Sequence, residues 1–155
     1  RTQMYKGEAN WTLIAKVKNN PRIKIPIFGN GDIDSPQKAV EYRERYGVDG
    51  IMVGRAAIGY PWIFREIKHY MNTGELLPPP TLEERVNACR KHLMGSVSWK
   101  GQKLGILEMR RHYANYLKGL PHIKDYRTRL VMTEDIDMIN GILTELMENY
   151  QEVPA

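Results

Sequence analysis

Two short apolar runs that each end in glycine, Ile25-Pro-Ile-Phe-Gly29 and Gly50-Ile-Met-Val-Gly54, constrain this chain more than any other feature. The stretch between them, Ser35-Pro-Gln-Lys-Ala-Val-Glu-Tyr-Arg-Glu-Arg-Tyr46, is helical in pattern, with Ser35 as N-cap and Pro36 at the first helical position. Strand, helix, strand in that order is a βαβ unit, and its strands lie parallel. Parallel neighbours end at the same edge, so the loops Asn30-Gly31-Asp32 and Gly54-Arg55-Ala56 are brought side by side. Glycine amides there, with the positive ends of the helices that follow, suit a phosphate.

The rest of the chain fits around that unit. Asn10 caps a helix over 11–18, and Trp62–Met71 is a further helix that Gly74 is placed to stop. Trp11, Trp62 and Phe64 sit at helix starts and read as core and domain-contact residues rather than base-stacking platforms. Glu75-Leu-Leu-Pro-Pro-Pro80 cannot continue a helix and reads as a linker. Beyond it Thr81-Leu-Glu-Glu84 is a capping box that launches a helix to about Trp99, and a second helix follows Gly101 from Lys103 to Lys118. A shorter helix covers Lys124–Met132. Thr133 then caps a last helix to Tyr150, with Ile136, Ile139, Leu143, Leu146 and Met147 on one face.

The single cysteine, Cys89, excludes an intrachain disulfide and any cysteine-based zinc cluster, and its amphipathic surroundings predict a buried thiol. No metal site is expected. No apolar run reaches the length of a membrane span and no signal peptide is visible, so a cytoplasmic protein is expected, although the chain starts at Arg1. Charge is unevenly spread. Residues 85–129 hold eleven Lys and Arg against Glu108 and Asp125, whereas residues 130–155 hold six acids and no base. Two readings fit: helices that pair through their charges, or an RNA-facing surface with an acidic strut behind it.

Two parallel strands alone would leave both sheet edges open. Paired glycine loops that grip phosphate are found after strands seven and eight of (β/α)8 barrels, beside a short extra helix. The expected fold is therefore α/β plus all-α: residues 1–74 as the C-terminal portion of a TIM barrel, 75–80 as linker, and 81–155 as a small helical bundle. A truncated half-barrel would have reason to self-associate through its open edges.

Three stretches carry a family resemblance. Arg1-Thr-Gln-Met-Tyr-Lys-Gly-Glu-Ala-Asn-Trp11 resembles the tail of a His-Gly-Arg-Thr-Arg-x-Gln-x-Tyr-x-Gly-x-Ala-Asp-Trp segment, with Asn10 where Asp is common. Ile25–Ile33 with Gly50–Phe64 resembles Pro-Val-x-x-Asn-Gly-Asp-Ile and Met-x-Gly-Arg-Ala-x-x-Gly-x-Pro-Trp-x-Phe. Leu107-Glu-Met-Arg-Arg-His-Tyr-Ala-Asn-Tyr-Leu-Lys-Gly119 resembles a helical-domain signature in which a basic pair and His precede Tyr-Leu. Together they resemble the tRNA-dihydrouridine synthases, most closely the bacterial B-type, over essentially the whole chain.

The resemblance implies reduction of a uridine C5–C6 bond in tRNA, with FMN delivering hydride and NADPH restoring the flavin. The family's cysteine acid and its flavin-ring lysine and His lie outside these residues, so no catalytic residue is expected here and the chain alone should be inactive. What remains is the phosphate end of the FMN site, Asn30, Gly31, Asp32, Gly54, Arg55 and Ala56. Asp32 either ties the loop through backbone N–H groups or binds ribityl hydroxyls. Arg55 grips phosphate or forms a salt bridge, Asp32 being the nearest partner. The tRNA-facing candidates are Arg1, Lys100, Lys103, Arg110, Arg111, His112, Tyr116, Lys118 and Arg127, with Lys124 and Arg129 beside them. Of Arg110 and Arg111, which diverge by about 100° on a helix, one is expected to face RNA and the other to brace the bundle; His112 either faces RNA or is a satisfied interdomain histidine. Two other readings remain open: an RNA-binding module without catalysis, or an FMN-barrel reductase of a small molecule.

Overall fold

The computed structural model describes residues 7–151. It divides into two compact units, Arg1–Pro78 and Pro79–Ala155, so that the division falls inside the proline-rich stretch.

In the first unit the order is α1 (Trp11–Lys18), β1 (Phe28–Asn30), α2 (Pro36–Tyr46), β2 (Gly50–Met52), a single 3-10 turn (Arg55–Ala57) and α3 (Ile63–Thr73). The strands pair in parallel with Phe28 opposite Gly50, Gly29 opposite Ile51 and Asn30 opposite Met52. Both are shorter than the apolar runs predict. Pro26 has no N–H to give a ladder, Ile25 is 71% exposed, and the Ile27 amide donates to the Asp49 carboxylate at 2.7 Å instead. Asp49 also accepts from Lys18 at 2.6 Å, and these two donors hold its carboxyl below the ordinary carboxylate range. One side chain therefore ties the end of α1 to the start of both strands.

Trp11 organises the packing. It is 2% exposed, meets Tyr42 and Tyr46 of α2 at ring-centroid distances of 5.0 and 5.6 Å, and donates its indole N–H to the Gly31 carbonyl at 2.9 Å. A Cβ at Gly29 would come within 2.1 Å of the Trp11 ring, so glycine at that position is a packing requirement. Ile33, Ala39, Val48, Ile63 and Ile67 complete the core. Phe64 is only partly withdrawn from water: at 49% exposed it lines a pocket with Ile51, Val53 and Ile67, while Trp62 is half-buried.

The second unit is α4 (Leu82–Lys100), α5 (Gln102–Tyr116), α6 (Lys124–Met132) and α7 (Ile136–Gln151). The Thr81–Glu84 capping box is present in both directions. The cap of α7 is Asp135 rather than Thr133: the Asp135 carboxylate accepts from the Met138 amide at 2.8 Å, and Thr133 in turn accepts from the Asp135 amide. Val86, Cys89, Leu93, Ile106, Met109, Tyr113, Leu117, Leu130, Ile139, Leu143 and Leu146 are fully excluded from water. Ile136 and Met147 lie at the margin of that core.

Candidate functional site

The parallel register places Asn30 and Met52 at the same edge of the sheet, and the two loops that follow turn into one open cleft of about 780 Å³. Asn30, Gly31, Asp32, Gly54, Arg55 and Ala56 all line it. So do Glu8, Lys38 and Tyr42, which the loop motifs alone did not indicate. The signal for Lys38 was present in its spacing. It lies one turn into α2, four residues after Asp34, and its ammonium is 3.8 Å from that carboxylate.

The backbone at the cleft is set by two unusual residues. Gly31 has φ +132°, and Asp32 has φ +54°, in the left-handed region that Asp tolerates better than most residues. A Cβ at Gly31 would meet the Ala9 side chain at 2.3 Å. Asp32 is fixed on both oxygens: one accepts from the Ala9 amide at 2.7 Å, the other from the Arg55 guanidinium at 2.6 Å. Of the weighed alternatives, the loop tie at Asp32 and the salt bridge at Arg55 are therefore the ones seen. The ion pair neutralises the carboxylate that would otherwise repel an anion, and Arg55 remains 56% exposed on its side chain.

Gly54 differs from Gly29 and Gly31. A Cβ there would meet nothing within 4 Å. Packing within the described residues does not demand glycine at this position. Its lack of a side chain keeps the floor of the cleft open to a group approaching the backbone, which fits a phosphate-ended cofactor.

The second unit sorts its basic block cleanly. Five cations are half-buried and engaged in contacts: Arg85 on the Tyr116 and Lys118 carbonyls, Arg90 on Thr144 and Asn140, Lys100 on Glu108, Arg110 on Glu134 and Arg129 on Glu145. Arg129 meets Glu145 with two parallel bonds of 2.8 and 2.6 Å, which lowers the Glu145 carboxyl. Lys91, Lys103, Arg111, Lys118, Lys124 and Arg127 are exposed, and none has an ion-pair partner among the described residues. The helix-pairing reading of the charges thus holds for Arg110, Arg129 and their acidic partners on the following segment. Arg110 is the brace and Arg111 the exposed member of the pair.

Tyr116 departs from its surface assignment. It is 5% exposed, and its hydroxyl lies 3.2 Å from His92 Nδ1. His112 is half-buried against His92, with ring centroids 4.7 Å apart. Arg111 Nε donates to His112 Nε2 at 3.2 Å, so Nε2 is the acceptor and the ring proton sits on Nδ1, which is buried with no partner among the described residues. Burial lowers the pKa of both rings, with Arg111 a further cause at His92 and His92 a further cause at His112. Arg1 lies outside the described residues.

Cys89 is buried, and burial pushes its thiol up to about 12, so it is no nucleophile or acid at neutral pH. Among the described residues no cluster of three or more His, Cys, Asp and Glu could hold a metal ion. None of their helices is long and apolar enough to cross a membrane.

Comparison with known proteins sharpens this picture. The family model for dihydrouridine synthase (Dus) matches residues 1–151. The tRNA-dihydrouridine synthase B of Pseudomonas aeruginosa is 42% identical over 137 residues, covering 88% of this chain and 41% of its own length. That of Pseudomonas putida is 44% identical over 135 residues, 87% of this chain and 40% of its own. A probable tRNA-dihydrouridine synthase of Rickettsia conorii is 37% identical over 152 residues, 98% of this chain and 45% of its own. The chain thus spans about two fifths of the length of the curated relatives it matches.

Proposed function

The chain belongs to the dihydrouridine synthase family, and from that membership we propose that it serves the flavin-dependent reduction of uridine to 5,6-dihydrouridine in cytoplasmic tRNA. In this reading β1 and β2 are the last strands of an FMN-binding (β/α)8 barrel, and the helical unit meets tRNA. The single observation that carries the cofactor assignment is the convergence of six loop residues, drawn from two parallel strand ends, on one cleft.

FMN, when bound, supplies the hydride, and NADPH restores the reduced flavin. This chain's own residues hold the cofactor's phosphate end. Gly54 and Ala56 leave backbone open to the phosphate, Arg55 brings its guanidinium to the cleft, and Asn30 offers an amide to the phosphate or a ribityl hydroxyl. Lys38 lines the same cleft and adds a cation. No residue of the chain is assigned to the proton transfer, since its one thiol is buried in the helical unit.

For tRNA, the exposed Lys103, Arg111, Lys118 and Arg127 are suited to contacts with backbone phosphates that carry no sequence information. Lys100 and Arg110, tied to Glu108 and Glu134, shape that surface rather than supply free charge. A folded RNA read by its shape fits such a surface.

The test is a titration of the chain with FMN and, in parallel, with riboflavin, followed by flavin fluorescence. Binding of FMN and not riboflavin supports a phosphate grip. A folded chain that binds neither, or binds both equally, contradicts it.

A further inference from the structure

We propose that Trp99 is a stacking platform for an unpaired RNA base, with Lys103 holding the adjoining phosphate. The proposal rests on the reading that the helical unit meets RNA and adds a specific contact to it. At 82% exposed, Trp99 is the most exposed large apolar residue among those described. An indole so placed contributes little to the core and leaves a large aromatic face in water.

The ring stands on a rigid corner. Gly101, with φ +82°, turns the chain from α4 into α5. A Cβ at Gly105 would meet the Val97 backbone at 2.7 Å, so the two helices touch there backbone to backbone. Ser96 Oγ donates to the Gly105 carbonyl at 3.3 Å, and Lys100 crosses the corner to Glu108. The Lys100 ammonium also lies 4.6 Å from the Trp99 ring centroid, where it covers one face of the indole. The opposite face is the one left for a ligand.

Charge complementarity decides the kind of ligand. From residue 85 to residue 107 the chain carries five cations and no acid, and Glu108, the first acid beyond, is engaged with Lys100. Lys103 is exposed four residues on in sequence, just past the Gly101 corner, and borders a shallow depression of about 400 Å³ with Lys100, Gln102 and Leu104. A flat aromatic face on a preorganised corner, flanked by cations, matches single-stranded nucleic acid: the base stacks and the backbone meets the ammonium.

Intrinsic tryptophan emission tests this on the full chain, because Trp11 is buried and Trp62 half-buried. A uridine-rich single-stranded oligonucleotide is expected to quench that emission, and Trp99→Ala to abolish the quench. Trp99→Ala is also expected to weaken single-strand binding by about five-fold or more, with the thermal melt and the binding of a blunt RNA duplex unchanged. Trp99→Phe should retain most of the affinity. Equal affinity of Trp99→Ala and the parent for the oligonucleotide overturns the proposal. So does a Trp99 emission that shifts with protein concentration alone, which would assign the ring to a second copy of the chain. If tRNA binds undiminished to Trp99→Ala, the platform falls and the tRNA reading stands. Quenching by the oligonucleotide without any tRNA binding has the opposite meaning.

Discussion

Around the cleft, order depends on a few side chains that each reach far, whereas in the helical unit every helix contributes residues to one closed core. Trp11, Asp49 and Asp32 pin α1, the strands and the loops together, yet Ile25, Phe28 and Met52 remain 71%, 66% and 56% exposed. Val86 and Leu93, Ile106 and Tyr113, Leu130, and Leu143 and Leu146 are wholly buried on α4 to α7. On the proposed reading, the difference amounts to two ways of making a binding surface. In the first unit, incomplete packing leaves backbone at strand ends accessible for a small anion. In the second, a finished core frees the outer cations, because the inner ones are already occupied by acids and carbonyls.

The strongest way to break this contrast is Trp11→Ala. Removing a fully buried indole should cost about 3–5 kcal/mol, with the loss confined to the first unit. Chemical denaturation followed by far-ultraviolet circular dichroism should show one early transition, and FMN uptake should disappear with it. A single transition that merely shifts would mean that the units do not unfold separately. Leu143→Ala is the converse experiment, costing about 2–5 kcal/mol in the helical unit while FMN binding persists.

A pH series sharpens the comparison, because the paired histidines lie in the helical unit alone. Their ordinary value is 6.5 and the folded values are lower. Above 6.5 both rings are neutral in both states and the pair adds no pH dependence. As pH falls through that value, the unfolded chain takes up protons that the folded rings resist, so stability drops until the folded values are passed. Arg111, Glu108, Lys100 and the Tyr116 hydroxyl face these rings and stay in place in the control. Replacing both rings, His92→Gln with His112→Gln, should flatten the slope in thermal melts. An unchanged slope would place its origin elsewhere.

The smallest effects separate tied from free cations. Arg129→Ala removes a surface pair with Glu145 and should cost under about 1 kcal/mol in a melt, with the salt dependence of tRNA binding unaltered. Arg127→Ala should leave the melt unaltered and reduce the slope of log affinity against log salt by about one. Exchange of the two behaviours would refute the sorting of the basic block.

Helix boundaries were legible from local chemistry. Ser35, Thr81 and Gly74 each act where their residue types predict, as caps and as a left-handed stop. The parallel strands and the meeting of their loops were legible too, because a βαβ unit leaves little choice of topology. What local pattern did not reveal was partnership between distant residues. Tyr116 reads as a surface tyrosine until α4 brings His92 to its hydroxyl, and Lys100 reads as free charge until the turn at Gly101 returns Glu108 to it. The strands came out short because Asp49 takes the Ile27 amide, a contact between residues 22 positions apart. Asp135 displaced Thr133 as the last cap for a narrower reason, since both are good cap residues and only geometry chooses between them.

The central claim is that the cleft at the strand ends grips a cofactor phosphate against open backbone. It is tested most directly by titrating the chain and its Gly54→Leu variant with FMN side by side, with circular dichroism melts confirming that both are folded. A side chain at residue 54 would enter space that is open in the cleft, so the folded variant should bind FMN at least about ten-fold more weakly, a loss near 1.4 kcal/mol. Equal FMN affinity in the two proteins would contradict the claim and place the flavin phosphate away from these loops.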